Sequence, residues 1–347
     1  MNETVPSGSP VPSRASQSVR SPRLAASPSG GLARLSSPAS CALEESLRRA
    51  LRKQKVVCKN PKKQKAVHDL RVSLRRCRSL AENFSELDLH PVWRHLAKAC
   101  KTQQQGLNDP RDAHVIAGWT HKLKLDRPSS GRVFAETIKK EEHGSRRKAT
   151  KSLGNFPRKR WKHWLHSLPA RADMIPVGES RLALLALERL GEAEGFERHW
   201  RKTRSVAAWH KLRVAVKRFR YTVESFLPEQ HVVSEKALKR LQDILGDGHD
   251  LDVLRERILQ FARDTDMRQA TRDRSLRRVE RARRQSVEDY ETAISARGKP
   301  RHGKKQPGRS GKSMQRIWDR WRAGLGRLAQ LNPSDAATPG TSSARRG

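Results

Sequence analysis

The sequence predicts an all-α fold assembled from two duplicated halves. Apolar residues recur at helical spacing through the middle of the chain, and two blocks of sequence occur twice in the same order. Sustained period-two alternation and long β-branched runs, which would indicate strands, are missing. With 347 residues, the chain is long enough for one large domain or two smaller ones with a substantial core.

Composition divides the chain into five segments. Residues 1–40 are rich in Ser, Pro, Gly and Arg and are predicted to form a disordered tail; Pro and Gly there also argue against a transit peptide. Residues 41–297 follow as a succession of helices. A basic Gly/Pro linker at 298–311 leads to a short amphipathic helix at 312–330, and residues 331–347 form a second disordered tail.

The first repeated block predicts an amphipathic helix. Residues 67–84 read VHDLRVSLRRCRSLAENF, and residues 209–226, which lie 142 positions later, read WHKLRVAVKRFRYTVESF. In each copy, apolar residues three and four apart form one stripe, which we expect to be buried. The stripes are Val67, Leu70, Leu74, Cys77, Ala81 and Phe84 in the first copy and Trp209, Leu212, Val216, Phe219, Val223 and Phe226 in the second.

A basic stripe lies about 100° around the same helix. Like charges at this spacing destabilise a helix by a few tenths of a kcal/mol per pair. One such run usually indicates a solvated surface, but two copies with the same spacing favour a binding face. Arginine forms bidentate hydrogen bonds with phosphate oxygens, so the rows suit an extended phosphate polymer. The basic stripe consists of His68, Arg71, Arg75 and Arg78 in the first copy and of His210, Arg213, Lys217 and Arg220 in the second.

The second repeated block predicts helix caps. Residues 107–115 read LNDPRDAHV and residues 245–253 read LGDGHDLDV, which are 138 positions apart. Asp109 before Pro110 indicates an N-cap with Asp112 in the capping-box position, and Asp247 and Asp250 repeat this arrangement. An alternative role for these acids is to orient basic side chains of neighbouring helices.

The same order of both blocks predicts halves at about 41–177 and 178–297. We do not expect a metal site at His249, Asp250 and Asp252, because neighbouring positions on a helix diverge and the first copy has Arg111 in place of His249.

Two further basic clusters have alternative interpretations. One set of cations either supports the binding face or is a solvated surface: Arg94, Lys98, Lys101, Lys236, Lys239 and Arg240. In the segment RKRWKHW at 158–164, packing of Trp161 and Trp164 in the interior is favoured over stacking on nucleic-acid bases.

Charge and motifs restrict the class of function. The chain has 74 Lys and Arg against 36 Asp and Glu, a formal charge of +38, which indicates an anionic partner. We expect no membrane span, because no apolar run approaches about 20 residues. Four cysteines without a CxxC pair indicate reduced thiols and a cytoplasmic protein. No Gly-rich phosphate loop, HExxH or GxSxG motif is present, so neither an enzyme nor a cofactor is expected.

The two copies of His-x-x-Arg-Val-x-x-(Arg/Lys)-Arg-x-Arg, each followed by Leu-x-Asp-x-x-Asp-x-x-Val, resemble the CHAD domain, the conserved histidine α-helical domain. The resemblance covers about residues 41–297. It implies two helical bundles related by pseudo-twofold symmetry around a central basic groove or pore. It also implies binding of inorganic polyphosphate and association with polyphosphate granules. The implied binding residues are His68, Arg71, Arg75, Arg76, Arg78, His210, Arg213, Lys217, Arg218, Arg220 and Tyr221.

The chain departs from the family pattern at Lys217, which cannot make the bidentate contact of an arginine. The two copies also differ in their second block, where Asn108 and His114 correspond to Gly246 and Asp252. The alternating-Glu motif of tunnel-type triphosphatases is absent. The alternative function is that of a basic nucleic-acid-binding protein, which the net charge favours and the scarcity of aromatic residues opposes.

Overall fold

The fold is all-helical, which confirms the predicted fold class. The computed structural model describes residues 37–60, 64–127, 129–154, 156–294 and 316–330. Within these ranges the chain forms eleven α-helices and no strand. They are α1 (Pro38–Lys59), α2 (Gln64–Leu87), α3 (Val92–Gln105), α4 (Asn108–Lys122), α5 (Ser129–Gly154), α6 (Arg158–Asp173), α7 (Glu179–Thr203), α8 (Val206–Phe226), α9 (Pro228–Asp264), α10 (Gln269–Ile294) and α11 (Arg316–Gln330).

Helix α1 begins before the predicted boundary at residue 41. Ser37 caps the helix by accepting a hydrogen bond from the Ser40 amide, and Pro38 occupies the first turn, where a missing N–H costs nothing. The amide of Ser37 also donates to Asp173 Oδ1 of α6 at 2.8 Å. The prediction of a disordered tail over residues 1–40 is therefore wrong for residues 38–40, because the cap and this contact order them.

Most of the residues predicted to form the two tails and the basic linker lie outside the part of the chain that the structure describes. Residues 1–36, 298–311 and 331–347 lie outside the described residues. Within the segment predicted at 312–330, the described part is α11, whose Trp318 and Trp321 are buried.

The apolar stripes of the repeated block form the inner faces of α2 and α8. Apart from the half-buried Val67, their members are at most 4% exposed. Cys77 on this stripe is fully buried, as expected for a small core residue. The burial of these stripes agrees with the predicted helical period, which sets the basic stripes about 100° around each helix.

Two apolar cores hold the helices together. The larger core joins α1, α2, α3, α6 and the end of α5 with α7, α8, the first half of α9, the end of α10 and α11. The smaller core joins α4 and α5 with the second half of α9 and with α10, through Ile116, Phe134, Leu254 and Val279. Each core thus contains side chains from both predicted halves, because the apolar faces of one half pack against those of the other.

Helix packing follows a similar order in the two halves, with α11, which lies beyond the predicted second half, taking the place that α6 has in the first. Helix α1 packs against α2 and α6, whereas α7 packs against α8 and α11. Helices α4 and α5 pack together, as do α9 and α10. This order agrees with duplicated halves, and the duplication itself stays a prediction.

Helix α9 continues through the second repeated block, so the predicted caps are wrong. Asp247 and Asp250 lie well inside this 37-residue helix. In the first half, α4 begins at Asn108 after Leu107, which places Asp109 in the first turn rather than at the N-cap.

The length difference between the halves lies between α2 and α3, where residues 88–91 separate the helices, whereas Leu227 alone separates α8 from α9. Between the two repeated blocks, the second half lacks four residues, which is close to one turn of 3.6 residues.

No helix within the described ranges combines the length and the apolar character needed to cross a bilayer.

Candidate functional site

A cavity of about 810 Å³ lies between the two repeated helices, α2 and α8. Its other walls come from the end of α3, the start of α4 and the middle of α9. The lining residues are His68, Arg71, Val72, Arg75, Arg78, Ser79, Glu82, Gln104, Asp112, His210, Arg213, Val214, Lys217, Arg218, Tyr221, Gln242, Asp243, Gly246, Asp247, His249 and Asp250.

The C-terminal halves of α2 and α8 contact each other and hold the cavity walls together. The rings of Phe84 and Phe226 meet edge to face with centroids 5.1 Å apart. Beside them, the Thr222 hydroxyl donates to Asn83 Oδ1 at 3.2 Å. Both polar side chains are buried, so this hydrogen bond fixes how the two helices cross.

Equivalent positions of the two repeated blocks meet in this cavity. Both basic stripes contribute their first three members, so His68 and His210 line the same space. The equivalent pairs in the lining are His68 and His210, Arg71 and Arg213, Val72 and Val214, Arg75 and Lys217, Ser79 and Tyr221, Gln104 and Gln242, and Asp112 and Asp250.

Nine of the eleven residues implied as binding residues line the cavity, and Arg76 and Arg220 do not. Glu224 of α8 holds both of them: its carboxylate lies 2.7 Å from Arg76 Nη2 and 3.8 Å from Arg220 Nε. Arg220 also donates to Gln242 Oε1 at 2.8 Å. Arg76 and Arg220 are therefore engaged in ion pairs outside the cavity lining, and their role as binding residues stays a prediction.

Among the lining cations, Arg78 and Arg218 form ion pairs with carboxylates. Arg78 donates to Glu82 at 2.8 Å one turn along α2, and Arg218 donates to Glu192 of α7 at 3.2 Å. An external anion must therefore compete with these carboxylates for the guanidinium groups of Arg78 and Arg218.

The six proposed supporting cations lie elsewhere. Their side chains are exposed on α3 and α9, and none lines the cavity; they are Arg94, Lys98, Lys101, Lys236, Lys239 and Arg240.

The cavity wall is mixed in charge rather than purely basic. Six Lys and Arg side chains line it together with five carboxylates: Glu82, Asp112, Asp243, Asp247 and Asp250. Cations come from α2 and α8, whereas most carboxylates come from α4 and α9. Asp112, Asp247 and Asp250 of the second block therefore line the same cavity as the basic stripes, and the role of orienting basic side chains stays a prediction. Burial raises the pKa of Asp247, and the nearby Asp250 and Asp243 act in the same direction.

Sequence reasoning missed a pair of glutamines. Gln104 and Gln242 line the cavity, and each stands three residues before the leucine that opens the second repeated block. Because both glutamines have the same position relative to this block, the repeat itself could have identified them from the sequence. Their amide groups bring neutral donors and acceptors beside the cations.

His210 and His249 bring two imidazoles together at the cavity wall. Their ring centroids are 4.9 Å apart, with His210 on α8 and His249 on α9. Partial burial lowers the pKa of His210, and the positive charges of Arg213 and Lys217 lower it further. The pKa of His210 therefore favours the neutral ring at neutral pH.

The residues considered for a metal site diverge. His249 and Asp250 line the cavity, whereas Asp252 accepts from Arg283 Nε of α10 at 2.9 Å. Among the described residues, no group of three or more His, Cys, Asp or Glu side chains is arranged to hold a metal ion.

The tryptophans of the segment at 158–164 are core residues. Trp161 and Trp164 are buried, and Trp161 packs against Phe156 with ring centroids 4.8 Å apart. Their burial removes the stacking surface that the nucleic-acid interpretation of this segment requires.

Comparison with known proteins gives a family and a fold. The family model of the CHAD domain matches residues 41–259. The crystal structure of the CHAD domain from the plant Ricinus communis is similar, with a TM-score of 0.54 and 20% identity over 83% of this chain and 90% of that chain. PptA from Streptomyces chartreusis is also similar, with a TM-score of 0.52 and 15% identity over 74% of this chain and 95% of that chain. No curated protein sequence matches the chain.

Proposed function

Since the chain belongs to the CHAD domain family, we propose that it binds inorganic polyphosphate in the cavity between α2 and α8. The observation that carries the proposal is the meeting of both basic rows in one cavity, where Arg71 and Arg213 occupy equivalent positions. A polyanion lying between the rows contacts guanidinium groups from both helices. A net charge of +38 favours its approach from a distance.

The carboxylates of the wall are compatible with this function. Their presence limits the repulsion between the two cation rows before a ligand arrives. When a polyanion enters, its oxygens compete with the carboxylates for the same guanidinium groups. Binding in such a site selects dense negative charge, because a weakly charged ligand does not displace the internal pairs.

The proposed role is binding without catalysis. No residue of the site is assigned as a nucleophile or a general acid–base pair. Incubation of the protein with polyphosphate should release no orthophosphate, and release that scales with protein concentration and disappears in a cavity variant would contradict this part of the proposal.

The proposal extends to the location of the protein. A chain that binds polyphosphate is expected to associate with polyphosphate granules in the cytoplasm. A fluorescent fusion should colocalise with granules and should become diffuse when the cavity cations are replaced.

A competition experiment separates polyphosphate from nucleic acid. Long-chain polyphosphate should displace labelled single- or double-stranded DNA or RNA at a much lower phosphate concentration than is needed for the reverse displacement. Both arms must be run at the same salt concentration, because each interaction depends on counterion release. Displacement of polyphosphate by nucleic acid at the lower concentration would replace the proposal with nucleic-acid binding.

A further inference from the structure

The two sides of the cavity differ in chemistry at two repeat-equivalent positions. Arg75 of α2 corresponds to Lys217 of α8, and Tyr221 of α8 corresponds to Ser79 of α2. All four residues line the cavity. In the sequence the two differences are independent of each other, whereas in the structure Arg75 and Tyr221 are in contact.

Arg75 and Tyr221 contact each other across the helix crossing. The guanidinium carbon of Arg75 lies 5.9 Å from the centre of the Tyr221 ring, within the range of a cation–π contact. Tyr221 is only 8% exposed, so its ring has few alternative positions. A guanidinium held against a fixed ring loses less freedom when it binds an anion than one on a mobile side chain.

The Arg75 guanidinium also has hydrogen-bonding capacity in reserve. Its Nε is buried and has no hydrogen-bond partner among the described residues. Nε and one terminal nitrogen form an edge of the guanidinium fork, which matches two oxygens of one phosphate group. Tyr221 also lines the cavity, and its side chain carries a hydroxyl that can act as a donor.

The equivalent residues, Lys217 of α8 and Ser79 of α2, cannot form a guanidinium stacked on an aromatic ring. Lys217 has an ammonium that makes only point contacts, and it lacks the planar fork. Ser79 has no ring against which a cation can stack, although it lines the cavity.

We propose that Arg75 and Tyr221 form the principal phosphate anchor of the cavity and that Lys217 with Ser79 forms a weaker one. Polyphosphate is then held unequally by the two repeats, most tightly beside the crossing of α2 and α8. This inference rests on the proposed polyphosphate binding and adds that the two basic rows are not interchangeable.

Charge-conserving substitutions test the inference on the full chain with long-chain polyphosphate as the probe. Arg75→Lys should weaken binding about tenfold, because one bidentate charge-assisted contact is lost. Lys217→Arg should change affinity by less than about threefold, because no ring supports the new guanidinium. All variants keep the same net charge, so differences in long-range attraction are excluded.

The exchange variant Arg75→Lys with Lys217→Arg gives the sharpest result. It contains the same residues in exchanged positions, and we expect it to bind as weakly as Arg75→Lys alone. Wild-type affinity in the exchange variant, or an Arg75→Lys affinity within twofold of wild type, would overturn the inference. Absence of binding by the wild-type protein would instead contradict the proposed function.

A second pair of variants tests the ring. Tyr221→Phe keeps the stacking surface and removes the hydroxyl, whereas Tyr221→Leu removes the ring but keeps an apolar side chain. We expect Tyr221→Leu to weaken binding more than Tyr221→Phe. Thermal unfolding of each variant identifies any loss that results from misfolding. Equal affinities of the Phe and Leu variants, both folded, would exclude the stacking role.

Discussion

The indole of Trp209 packs directly against the backbone of Gly248. A Cβ atom added at this glycine would lie 2.8 Å from Trp209 Nε1 and 2.9 Å from Cζ2. The same indole N–H donates to the carbonyl of Leu245 at 3.1 Å, and the ring is fully buried. Contact between α8 and α9 at this point therefore requires a residue without a side chain, and it holds the acidic wall of α9 against the basic row of α8.

Replacing Gly248 with Ala should destabilise the protein. The added methyl group overlaps rigid ring atoms, so α8 and α9 must separate slightly, at a cost of about 1–3 kcal/mol. Urea unfolding followed by far-UV circular dichroism measures the change.

Gly246→Ala is the matched control on the same helix. A Cβ atom there meets nothing within 4 Å. Because alanine favours a helix over glycine by about 0.8–1 kcal/mol, this variant should be at least as stable as wild type. Equal destabilisation by both substitutions would contradict the packing explanation.

Replacing Glu224 with Gln should weaken the junction between α2 and α8 without removing ligand binding. The carboxylate joins Arg76 to Arg220, and its loss leaves two half-buried guanidinium groups facing an amide. We expect a loss of about 1–3 kcal/mol in unfolding free energy. Polyphosphate affinity should stay within about threefold, because Glu224 does not line the cavity.

Glu44→Gln provides the comparison for an exposed ion pair. Glu44 pairs with Arg48 on the surface of α1, where such pairs contribute about 0–1 kcal/mol. A Glu224→Gln variant as stable as Glu44→Gln would show that the cluster at the crossing contributes little.

Polyphosphate binding should strengthen as the pH falls. In the ligand-free cavity, burial and the charges of Arg213 and Lys217 lower the pKa of His210 below its ordinary value of 6.5. A bound polyanion raises that pKa, so binding takes up a proton. Affinity should therefore rise as pH falls through the higher pKa of the bound state and level off below the lower pKa of the free state.

Affinities measured between about pH 8 and about pH 5 test this linkage. The His210→Gln variant should show a flatter pH profile, since the ionisation of polyphosphate itself is common to both proteins. A profile with the wild-type slope would exclude His210 as the coupled group.

The helical period allowed the buried faces to be predicted from the sequence. Leu70, Leu74 and their counterparts Leu212 and Val216 are fully buried, so the basic rows one position later fall where expected. Copied spacing also placed His68 and His210 on corresponding faces, and both line one cavity. These features depend on the spacing of residues along one helix, which can be read from the sequence alone.

Tertiary ion pairs could not be predicted in the same way. Arg76 pairs with Glu224, which is 148 positions away, and only the crossing of α2 and α8 brings them together. The pairing of Arg78 with Glu82 was different, because its spacing of four residues was a signal in the sequence itself.

The second repeated block was misinterpreted for a physical reason. Asp-Pro in one copy is typical of a helix start, and Asp-Gly in the other is typical of a turn. Gly248 instead makes room for the Trp209 ring within a continuous helix, a packing requirement that local propensity does not contain.

The most direct test of the account is polyphosphate binding by the double charge reversal Arg71→Glu with Arg213→Glu, titrated with salt. Lys159→Glu with Lys162→Glu on the exposed face of α6 changes the net charge equally and serves as the control. If both rows hold the polymer, the cavity variant should lose binding at about 0.15 M salt, while the control should retain it with a modest loss. Equal affinity of the two variants would show that polyphosphate is held by the overall charge of the protein and not by the cavity.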